Sequence, residues 1–483
     1  MKVLFATSEA VPLVKTGGLA DVSGALPSAL RAAGVDMRLL MPGYGPVIEW
    51  IEGRAQTVAE FGFAPFPRAR LLSAAMPSGV PLLVLDCPEL YARVGGPYHQ
   101  PGGDDWPDND VRFGLLSRVA AALARADSPI DWRPDVLHCN DWQTGLAPAF
   151  LAHQPGAHAP VLLTIHNLAY QGIFLPGALT RVGLTWDAFR LDGVEFHGKV
   201  SFLKGGLQYA DRLSTVSPTY AREIQHEPLG FGLQGLLSWR AKQLTGILNG
   251  IDTEVWNPAA DELIPRRYKA ATLARKNDNK RALQDRFGLE HSVSTPLLGM
   301  VSRFTYQKGQ DLLLAVAERI LELPVQLAIL GSGDPTLESA FRDLAQRHPG
   351  RVGVQVGFDD ALSHLIEAGA DAFLMPSRYE PSGLNQMYSM RYGTPVIAHA
   401  TGGLVDTITD HSPATVASGT ASGFLFDEPD PEAFHGAIRR AVDVFRNRRV
   451  WRQIQRRGMD RDFSWNAAAQ GYLALYREMA PPA

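Results

Sequence analysis

Two loops carry residue types that bind phosphate groups. In Lys15–Leu19 (Lys-Thr-Gly-Gly-Leu), paired glycines let the backbone approach a ligand, the start of a helix offers amides to an anion, and Lys15 adds positive charge. Arg303 and Lys308 stand between a predicted strand and a predicted helix, where two cations could stabilise a departing diphosphate. Either loop alone is explained equally well, or better, by a turn with solvated charges.

Single polar residues at the ends of predicted strands are candidates for contacts with a sugar. His166 lies just past a strand and could bind sugar hydroxyls, although a lone histidine more often has a structural role. Asp141 occupies a similar place, where capping of the next helix is the commoner role. Glu380 could offset positive charge growing on a sugar ring, or it could simply complement the dipole of the helix that follows.

One short pattern occurs in both halves of the chain. Thr16-Gly17-Gly18-Leu19-Ala20-Asp21 is echoed by Thr401-Gly402-Gly403-Leu404-Val405-Asp406, and each copy is predicted to open a helix. Packing explains a single such Gly-Gly more often than not, so the two copies together are stronger evidence for a binding site than either copy alone. No carboxylate pair typical of a retaining glycosidase and no metal-binding motif can be identified. With cations in both halves, these signals suggest a nucleotide-diphosphate sugar as ligand.

The elements that must position these residues alternate between β-rich runs and amphipathic segments. The predicted strands are Lys2–Thr7, Val35–Met41, Asp135–Cys139, Val161–Ile165, Arg212–Val216, Leu297–Val301, Val325–Leu330, Val352–Val356, Ala372–Met375 and Pro395–Ala398. The predicted helices include Leu19–Ala33, Asp311–Leu323 and Ala467–Met479. This alternation favours an α/β fold with parallel sheets and helices on both faces.

The predicted fold has two doubly wound domains. We place them at residues 1–245 and 246–455, followed by a helical segment at 456–483 that could pack back on the first domain. Ligands of open α/β sheets bind beyond the carboxyl ends of the strands, so we expect the two glycine loops to face each other across a cleft.

Composition excludes several classes of protein. The 483 residues carry a net charge of −4, with 46% hydrophobic and 20% charged residues, which is ordinary for a globular protein and does not favour a nucleic-acid partner. Two cysteines, Cys87 and Cys139, are too few for a disulfide framework or a four-thiolate zinc site. Without a signal-peptide pattern or an apolar run of membrane-spanning length, we expect a cytoplasmic protein with no membrane partner.

Together the motifs resemble the bacterial and plant glycogen (starch) synthase family, over nearly the whole chain. The most specific matching segment is Lys15–Val22, and the others are Asp105–Asn109 with Arg112 and Phe113, His166-Asn167, Gly246–Asp252, Ser302–Gly309 and the stretches around Glu380 and Thr401. The resemblance implies a GT-B fold and an enzyme without cofactor or metal. It implies transfer of glucose from ADP-glucose to the non-reducing end of an α-1,4-glucan such as glycogen, with retention of anomeric configuration.

The resemblance also implies roles for individual residues. Catalytic roles fall to His166, Glu380, Arg303 and Lys308, with Arg303 and Lys308 on the diphosphate. Lys15 and Gly18 would contact the distal phosphate, Thr401 and Gly402 would add phosphate contacts, and Asp141, His166, Asn249 and Glu380 would hold the transferred glucose. The remaining substrate-binding candidates are Asp21, Phe358, Ser382, Gly383 and Leu384.

Three positions depart from the family pattern. Ser382 stands where a cysteine is usual, so thiol-dependent inactivation should be absent. Phe358 stands where a tyrosine often stacks on the base, which keeps the stacking and loses a hydroxyl contact. Ala398-His399-Ala400 precedes Thr401 where an arginine is often found, so phosphate affinity or base preference could differ.

Three other functions stay open at this point. A UDP-glucose-preferring glucan synthase would use the same chemistry. A glucan phosphorylase shares the architecture, but it needs a lysine that binds pyridoxal phosphate, and no lysine motif here resembles that site. A non-catalytic glucan-binding protein on the same fold is disfavoured by the presence of Lys15, His166, Arg303, Lys308 and Glu380.

Overall fold

Short apolar runs, buried on both faces, form the central strands of the protein. Every residue of Val136–Asn140 and of Val161–Ile165 is buried, which is typical of parallel sheets covered by helices on both sides. The computed structural model describes residues 1–480. The chain divides into unit 1, which is Met1–Gly250 with the segment from Trp465 onward, and unit 2, which is Ile251–Ser464.

Unit 1 is built on a nine-stranded sheet in the order β12-β11-β7-β6-β1-β2-β5-β4-β3. Its strands are β1 Lys2–Ala6, β2 Asp36–Pro42, β3 Gln56–Phe61, β4 Ala69–Ala75, β5 Pro81–Asp86, β6 Val136–Asn140, β7 Val161–Ile165, β11 Arg212–Thr215 and β12 Leu244–Gly246. A separate antiparallel sheet contains β8 Ile173–Phe174, β9 Glu195–Phe196 and β10 Lys199–Ser201. The helices that precede unit 2 are α1 Gly18–Ala32, α2 Gly45–Ile51, α3 Pro88–Tyr91, α4 Asn109–Ala124, α5 Leu146–Ala152, α6 Ala178–Arg181, α7 Phe202–Tyr209, α8 Pro218–Glu223 and α9 Gln234–Trp239.

The main sheet of unit 1 is parallel, as predicted, except along one edge. Strand β4 pairs in antiparallel fashion with β3 on one side and with β5 on the other, and β5 runs parallel to its inner neighbour β2. The outermost strand, β3, is largely exposed, so its sequence lacks the continuous apolar character of the central strands. The switch in winding direction falls between β1 and β6, which places the loops after those two strands side by side.

Unit 2 is built on a six-stranded parallel sheet in the order β15-β14-β13-β16-β17-β18. Its strands are β13 Leu297–Val301, β14 Gln326–Gly331, β15 Val352–Val356, β16 Ala372–Met375, β17 Val396–His399 and β18 Gly423–Phe426. Its helices are α10 Lys276–Phe287, α11 Gln310–Leu321, α12 Pro335–Arg347, α13 Asp360–Gly369, α14 Asn385–Arg391, α15 Gly402–Thr407, α16 Pro413–Ala417, α17 Pro431–Arg446 and α18 Arg448–Met459. This is the doubly wound 3-2-1-4-5-6 order, with the switch point between β13 and β16.

Side-chain caps and prolines start several of the helices. The Ser217 hydroxyl accepts a hydrogen bond from the Tyr220 amide at 2.9 Å, and Pro218 occupies the first turn of α8. Asp334 caps α12 in the same way, ahead of Pro335. These N-caps and prolines set the residues at which the loops after the strands end and the helices begin.

The last helix, α19 (Trp465–Met479), returns to unit 1 and packs against α1. The Tyr476 hydroxyl lies 2.7 Å from Nδ1 of the buried His138 on β6. The chain passes between units after Gly250 and after Ser464, whereas the sequence placed those points after 245 and 455. The difference arises because β12 completes the sheet of unit 1 and α18 extends unit 2. Among residues 1–480, no helix has the length and apolar character needed to cross a bilayer.

Candidate active site

The glycine-rich loop of unit 1 is folded around Glu9. One carboxylate oxygen, Oε2, accepts hydrogen bonds from the amides of Thr16 (2.5 Å) and Gly17 (3.3 Å), and Oε1 accepts one from the Tyr98 hydroxyl (3.0 Å). Glu9 is buried, and burial raises its pKa. The prediction that this loop offers its amides to an anion is therefore wrong for Thr16 and Gly17, whose N–H groups already serve Glu9.

Lys15 is part of an ion pair in the same loop. Its Nζ lies 2.8 Å from Oδ1 of Asp21, one turn into α1, and the lysine side chain is 55% exposed. Burial raises the pKa of Asp21, and Lys15 opposes that shift. The space that a Cβ on Gly18 would occupy is open, so contacts within the fold do not require glycine there. Two predicted substrate-binding residues, Lys15 and Asp21, are thus each other's partners.

Asp141 connects two loops at the carboxyl edge of the sheet. It follows β6 with a positive φ of 53°, and its Oδ1 accepts hydrogen bonds from the amides of His166 (2.7 Å) and Asn167 (3.4 Å). The alternative that Asp141 caps the next helix is not what the structure shows, because the carboxylate holds the loop after β7 instead. Burial raises the pKa of Asp141 to about 7.

His166 is held as a neutral ring with a defined tautomer. Asn140 donates from Nδ2 to the Ala6 carbonyl at 3.0 Å, so its Oδ1 must accept from Nε2 of His166 at 2.9 Å. The proton therefore stays on Nε2 and Nδ1 is a hydrogen-bond acceptor. Burial lowers the pKa of His166 to about 3, which keeps the ring uncharged at neutral pH. This ring can accept a hydrogen bond from a sugar hydroxyl.

Asn249, the last predicted site residue of unit 1, is also buried. Its Oδ1 has no hydrogen-bond partner within residues 1–480. A buried amide oxygen normally has a partner, so Asn249 retains an acceptor that a ligand hydroxyl or amine could satisfy.

In unit 2, five predicted residues line one crevice of about 190 Å³ at the switch point between β13 and β16; they are Arg303, Lys308, Glu380, Gly383 and Leu384. Lys308 Nζ lies 2.5 Å from Oε2 of Glu380, and the Ser377 hydroxyl donates to the same oxygen at 3.0 Å. Glu380 is almost fully buried, whereas Arg303 is exposed at the rim. The crevice thus combines two cations with one carboxylate, which suits an anionic group beside a sugar.

The second glycine pair serves close packing of the backbone. A Cβ on Gly402 would lie 2.0 Å from the Glu380 carbonyl oxygen, and one on Gly403 would lie 2.0 Å from that of Ser382. The Gly403 amide donates to the Glu380 carbonyl at 3.1 Å. The loop at Thr401, itself buried, therefore supports the loop that carries Glu380.

Two further predicted residues of unit 2 differ sharply in exposure. The Ser382 hydroxyl is buried and makes no hydrogen bond within the described part of the chain. Phe358 is 89% exposed on the loop after β15. Phe358, Ser382, Thr401 and Gly402 do not line the crevice at the switch point.

Sequence reasoning missed Glu9, Asn140 and Ser377. Each lies within three residues of the end of a central strand or at its last position, which is where the ligand edge of a doubly wound sheet is expected. Position alone could have nominated them, but their partners could not be read from the sequence. Glu9 and Tyr98, for example, are separated by 89 residues.

Both units match families of known proteins. Residues 2–239 match the family described as the starch synthase catalytic domain, and residues 283–457 match glycosyl transferases group 1. The chain is 55% identical over 480 residues to the glycogen synthase of Dechloromonas aromatica, covering 99% of this chain and 98% of that protein. It is 53% identical over 481 residues to the glycogen synthase of Nitrosospira multiformis, covering 99% and 97%.

The chain belongs to the glycogen synthase family. A solved structure, the catalytic domain of starch synthase IV from Arabidopsis thaliana bound to ADP and acarbose, is 32% identical, covers 99% of both chains and has a TM-score of 0.87. The predicted membership of the glycogen synthase family is confirmed, and so is the GT-B fold class of two doubly wound α/β units. The chain is therefore a glycosyltransferase, as the resemblance implied.

Proposed function

We propose that the protein transfers glucose from ADP-glucose to the non-reducing end of an α-1,4-glucan such as glycogen, with retention of configuration. Support comes from the glycogen synthases to which it is more than half identical and from the starch synthase IV structure, whose ligands are ADP and acarbose. The observation that carries the proposal is the crevice of unit 2, where Arg303, Lys308 and Glu380 surround one small volume.

The charges of this crevice suit the departure of a diphosphate. As the bond between the anomeric carbon and the phosphate oxygen breaks, negative charge grows on ADP, and Arg303 and Lys308 would stabilise it. Glu380, held by Lys308 and Ser377, would offset the positive charge that grows on the sugar ring. The acceptor 4-hydroxyl forms the new bond on the face from which ADP leaves, and its proton passes to a phosphate oxygen of ADP.

Unit 1 would supply contacts to neutral hydroxyls. Asp141 and the uncharged His166 are hydrogen-bond acceptors fixed in position by their neighbours, and the unpaired oxygen of Asn249 is a third. We propose that these three hold the transferred glucose. Lys15 would exchange some of its contact with Asp21 for the distal phosphate when the donor binds.

Further donor contacts are proposed for residues of both units. Gly18, Thr401 and Gly402 would contact the phosphates, and the exposed ring of Phe358 would stack on the base. Asp21 and Ser382 are proposed as further substrate-binding residues. Gly383 and Leu384 line the crevice itself.

The decisive test is incorporation of radiolabelled glucose into glycogen by the purified protein, with chelator present, from ADP-glucose and separately from UDP-glucose. We expect label from ADP-glucose with the higher kcat/KM. Lys308→Ala should lower kcat about 10²–10³-fold, the range found when one group that stabilises developing charge is removed. The control, Lys242→Ala, removes an exposed lysine from unit 1 and should change nothing.

Each competing function has its own outcome in this assay. Faster transfer from UDP-glucose would reassign the donor. Release of glucose 1-phosphate from glycogen and phosphate would indicate phosphorolysis. Binding of glycogen without any incorporated label, from either donor, would leave only a glucan-binding protein and refute the proposal.

A further inference from the structure

The two loops that carry Lys308 and Glu380 are joined by a residue that touches neither charge. Arg378 donates from one guanidinium nitrogen to the Tyr306 carbonyl and to Oδ1 of Asp311, both at 2.8 Å. Its other terminal nitrogen donates to Oδ2 of Asp311 at 2.6 Å. The guanidinium carbon also lies 3.9 Å from the centre of the Tyr306 ring. The Arg378 side chain, on the loop after β16, thus holds the loop after β13 through hydrogen bonds and a ring contact.

Backbone contacts reinforce the same junction. The Arg378 amide donates to the Gln307 carbonyl at 2.8 Å, and Gln307 Nε2 donates back to the Tyr379 carbonyl at 3.2 Å. At Gly309, where φ is +69°, a Cβ would lie 2.1 Å from the Pro376 carbonyl oxygen. The loops therefore approach so closely that only glycine fits, and Arg378 lies across the point of contact.

The charge of Arg378 is already matched within this junction. Asp311 accepts a bidentate pair of hydrogen bonds, and the hydrogen bonds from Arg378 lower the pKa of Asp311, so the carboxylate stays ionised at neutral pH. The arginine side chain is only 16% exposed. A guanidinium that is neutralised and covered is poorly suited to bind a diphosphate itself. It is well suited to fix the distance between the two loops that it joins.

We propose that Arg378 is a positioning residue that sets the placement of Lys308 relative to Glu380, and this inference rests on the proposed function. Lys308 lies two residues after Tyr306, whose carbonyl accepts a hydrogen bond from Arg378, and Glu380 lies two residues after Arg378. Lysine cannot replace the arginine because it lacks the planar fork that reaches a carbonyl and both carboxylate oxygens together.

The test compares Arg378→Ala and Asp311→Asn with Arg319→Ala. Arg319 makes a matched bidentate pair with Glu432 on the surface of unit 2, away from both loops. We expect Arg378→Ala to lower kcat about 10–100-fold, as a misplaced catalytic group does, with a much smaller change in the KM for ADP-glucose. Asp311→Asn keeps the size of a half-exposed side chain and removes its charge, so it should reproduce part of the loss in kcat. Arg319→Ala should match the wild type.

A double-mutant cycle separates positioning from general destabilisation. If Arg378 acts through Lys308, the Lys308→Ala/Arg378→Ala protein should be no slower than Lys308→Ala alone, measured in single-turnover label transfer. Losses that multiply would overturn the proposal, and so would an Arg378→Ala protein with the wild-type kcat.

Amide hydrogen exchange gives a readout that does not depend on catalysis. Arg378→Ala should speed exchange in the segment 303–309, whereas Arg319→Ala should not. Unchanged exchange would contradict the junction even if the wild type were inactive with ADP-glucose. An inactive wild type with the expected change in exchange would refute the proposed function and leave the junction standing.

Discussion

At the scale of single residues, burial drives Asp141 and His166, the groups of unit 1 that we propose bind the sugar, towards their neutral forms. Burial disfavours the charged form of each group, so it raises the pKa of Asp141 to about 7 and lowers the pKa of His166 to about 3. At neutral pH the histidine is uncharged and the aspartate is partly protonated. Such groups exchange hydrogen bonds with hydroxyls without a large cost of desolvating full charges, which suits a neutral glucose better than a phosphate.

Asp141→Asn should therefore stabilise the protein at high pH while impairing catalysis. The pKa of an aspartate is about 3.9 in the unfolded chain, and burial raises that of Asp141 to about 7, so the wild type loses stability as the pH rises between those values. Asparagine carries no such penalty. We expect the Tm of Asp141→Asn to exceed that of the wild type by about 2–4 °C at pH 8, with a smaller or reversed difference at pH 5, in parallel thermal melts. The same Tm difference at both pH values would contradict the assigned pKa.

At the scale of elements, glycine is present in the two copies of Thr-Gly-Gly for different physical reasons. In the first copy, a Cβ on Gly17 or Gly18 would meet nothing within 4 Å. In the second, the glycines pack directly on the carbonyls of the Glu380 loop. The first pair is therefore free to face a ligand, whereas the second pair is required by the fold.

Alanine at each copy should separate these roles. Gly18→Ala should keep the wild-type Tm and raise the KM for ADP-glucose at least about tenfold, because only a bound phosphate would meet the new methyl group. Gly403→Ala should lower the free energy of unfolding by about 1–3 kcal/mol, the usual cost of overpacking, and lower activity with it. Gly235→Ala, an open position on α9, is the control for both. A Gly18→Ala protein with unchanged KM would remove this loop from the donor site.

The positions of central elements could be predicted from sequence, but their neighbours could not. Val161–Ile165 and Ala372–Met375 were predicted with the observed bounds because fully buried strands are continuous apolar runs. The edge strand Gln56–Phe61 was missed because its exposed residues lack that pattern. Lys308 and Glu380 could each be nominated, yet their contact depends on β13 lying beside β16, and strand order is not a local property.

At the scale of the whole molecule, unit 1 is built from two segments that are separated in sequence by unit 2. Helix α19 contributes Trp465, Tyr472 and Tyr476 to the core of a unit whose other residues precede 251. The Tyr476 hydroxyl also satisfies His138, which is buried on β6. Unit 2, in contrast, is continuous in sequence.

Truncation after Ser464 should therefore damage unit 1 selectively. Removing α19 exposes its contact surface on α1 and leaves the Nδ1 atom of His138 without its partner, so we expect loss of cooperative unfolding for unit 1 and an unchanged transition for unit 2 in calorimetry. Tyr476→Phe, which removes only the hydroxyl, should cost about 1 kcal/mol. Arg477→Ala, on the exposed side of the same helix, is the control. A truncated protein with the wild-type melting profile would contradict this dependence.

The return of α19 to unit 1 also sets an order of events during synthesis. A growing polypeptide leaves the ribosome from its N-terminus, so residues 251–464 emerge as one uninterrupted stretch before Trp465–Met479 becomes available. Residues 1–250 must therefore wait for Trp465–Met479 before the core of unit 1 is complete. Unit 2, although second in translation, is the first for which every part of the core is present.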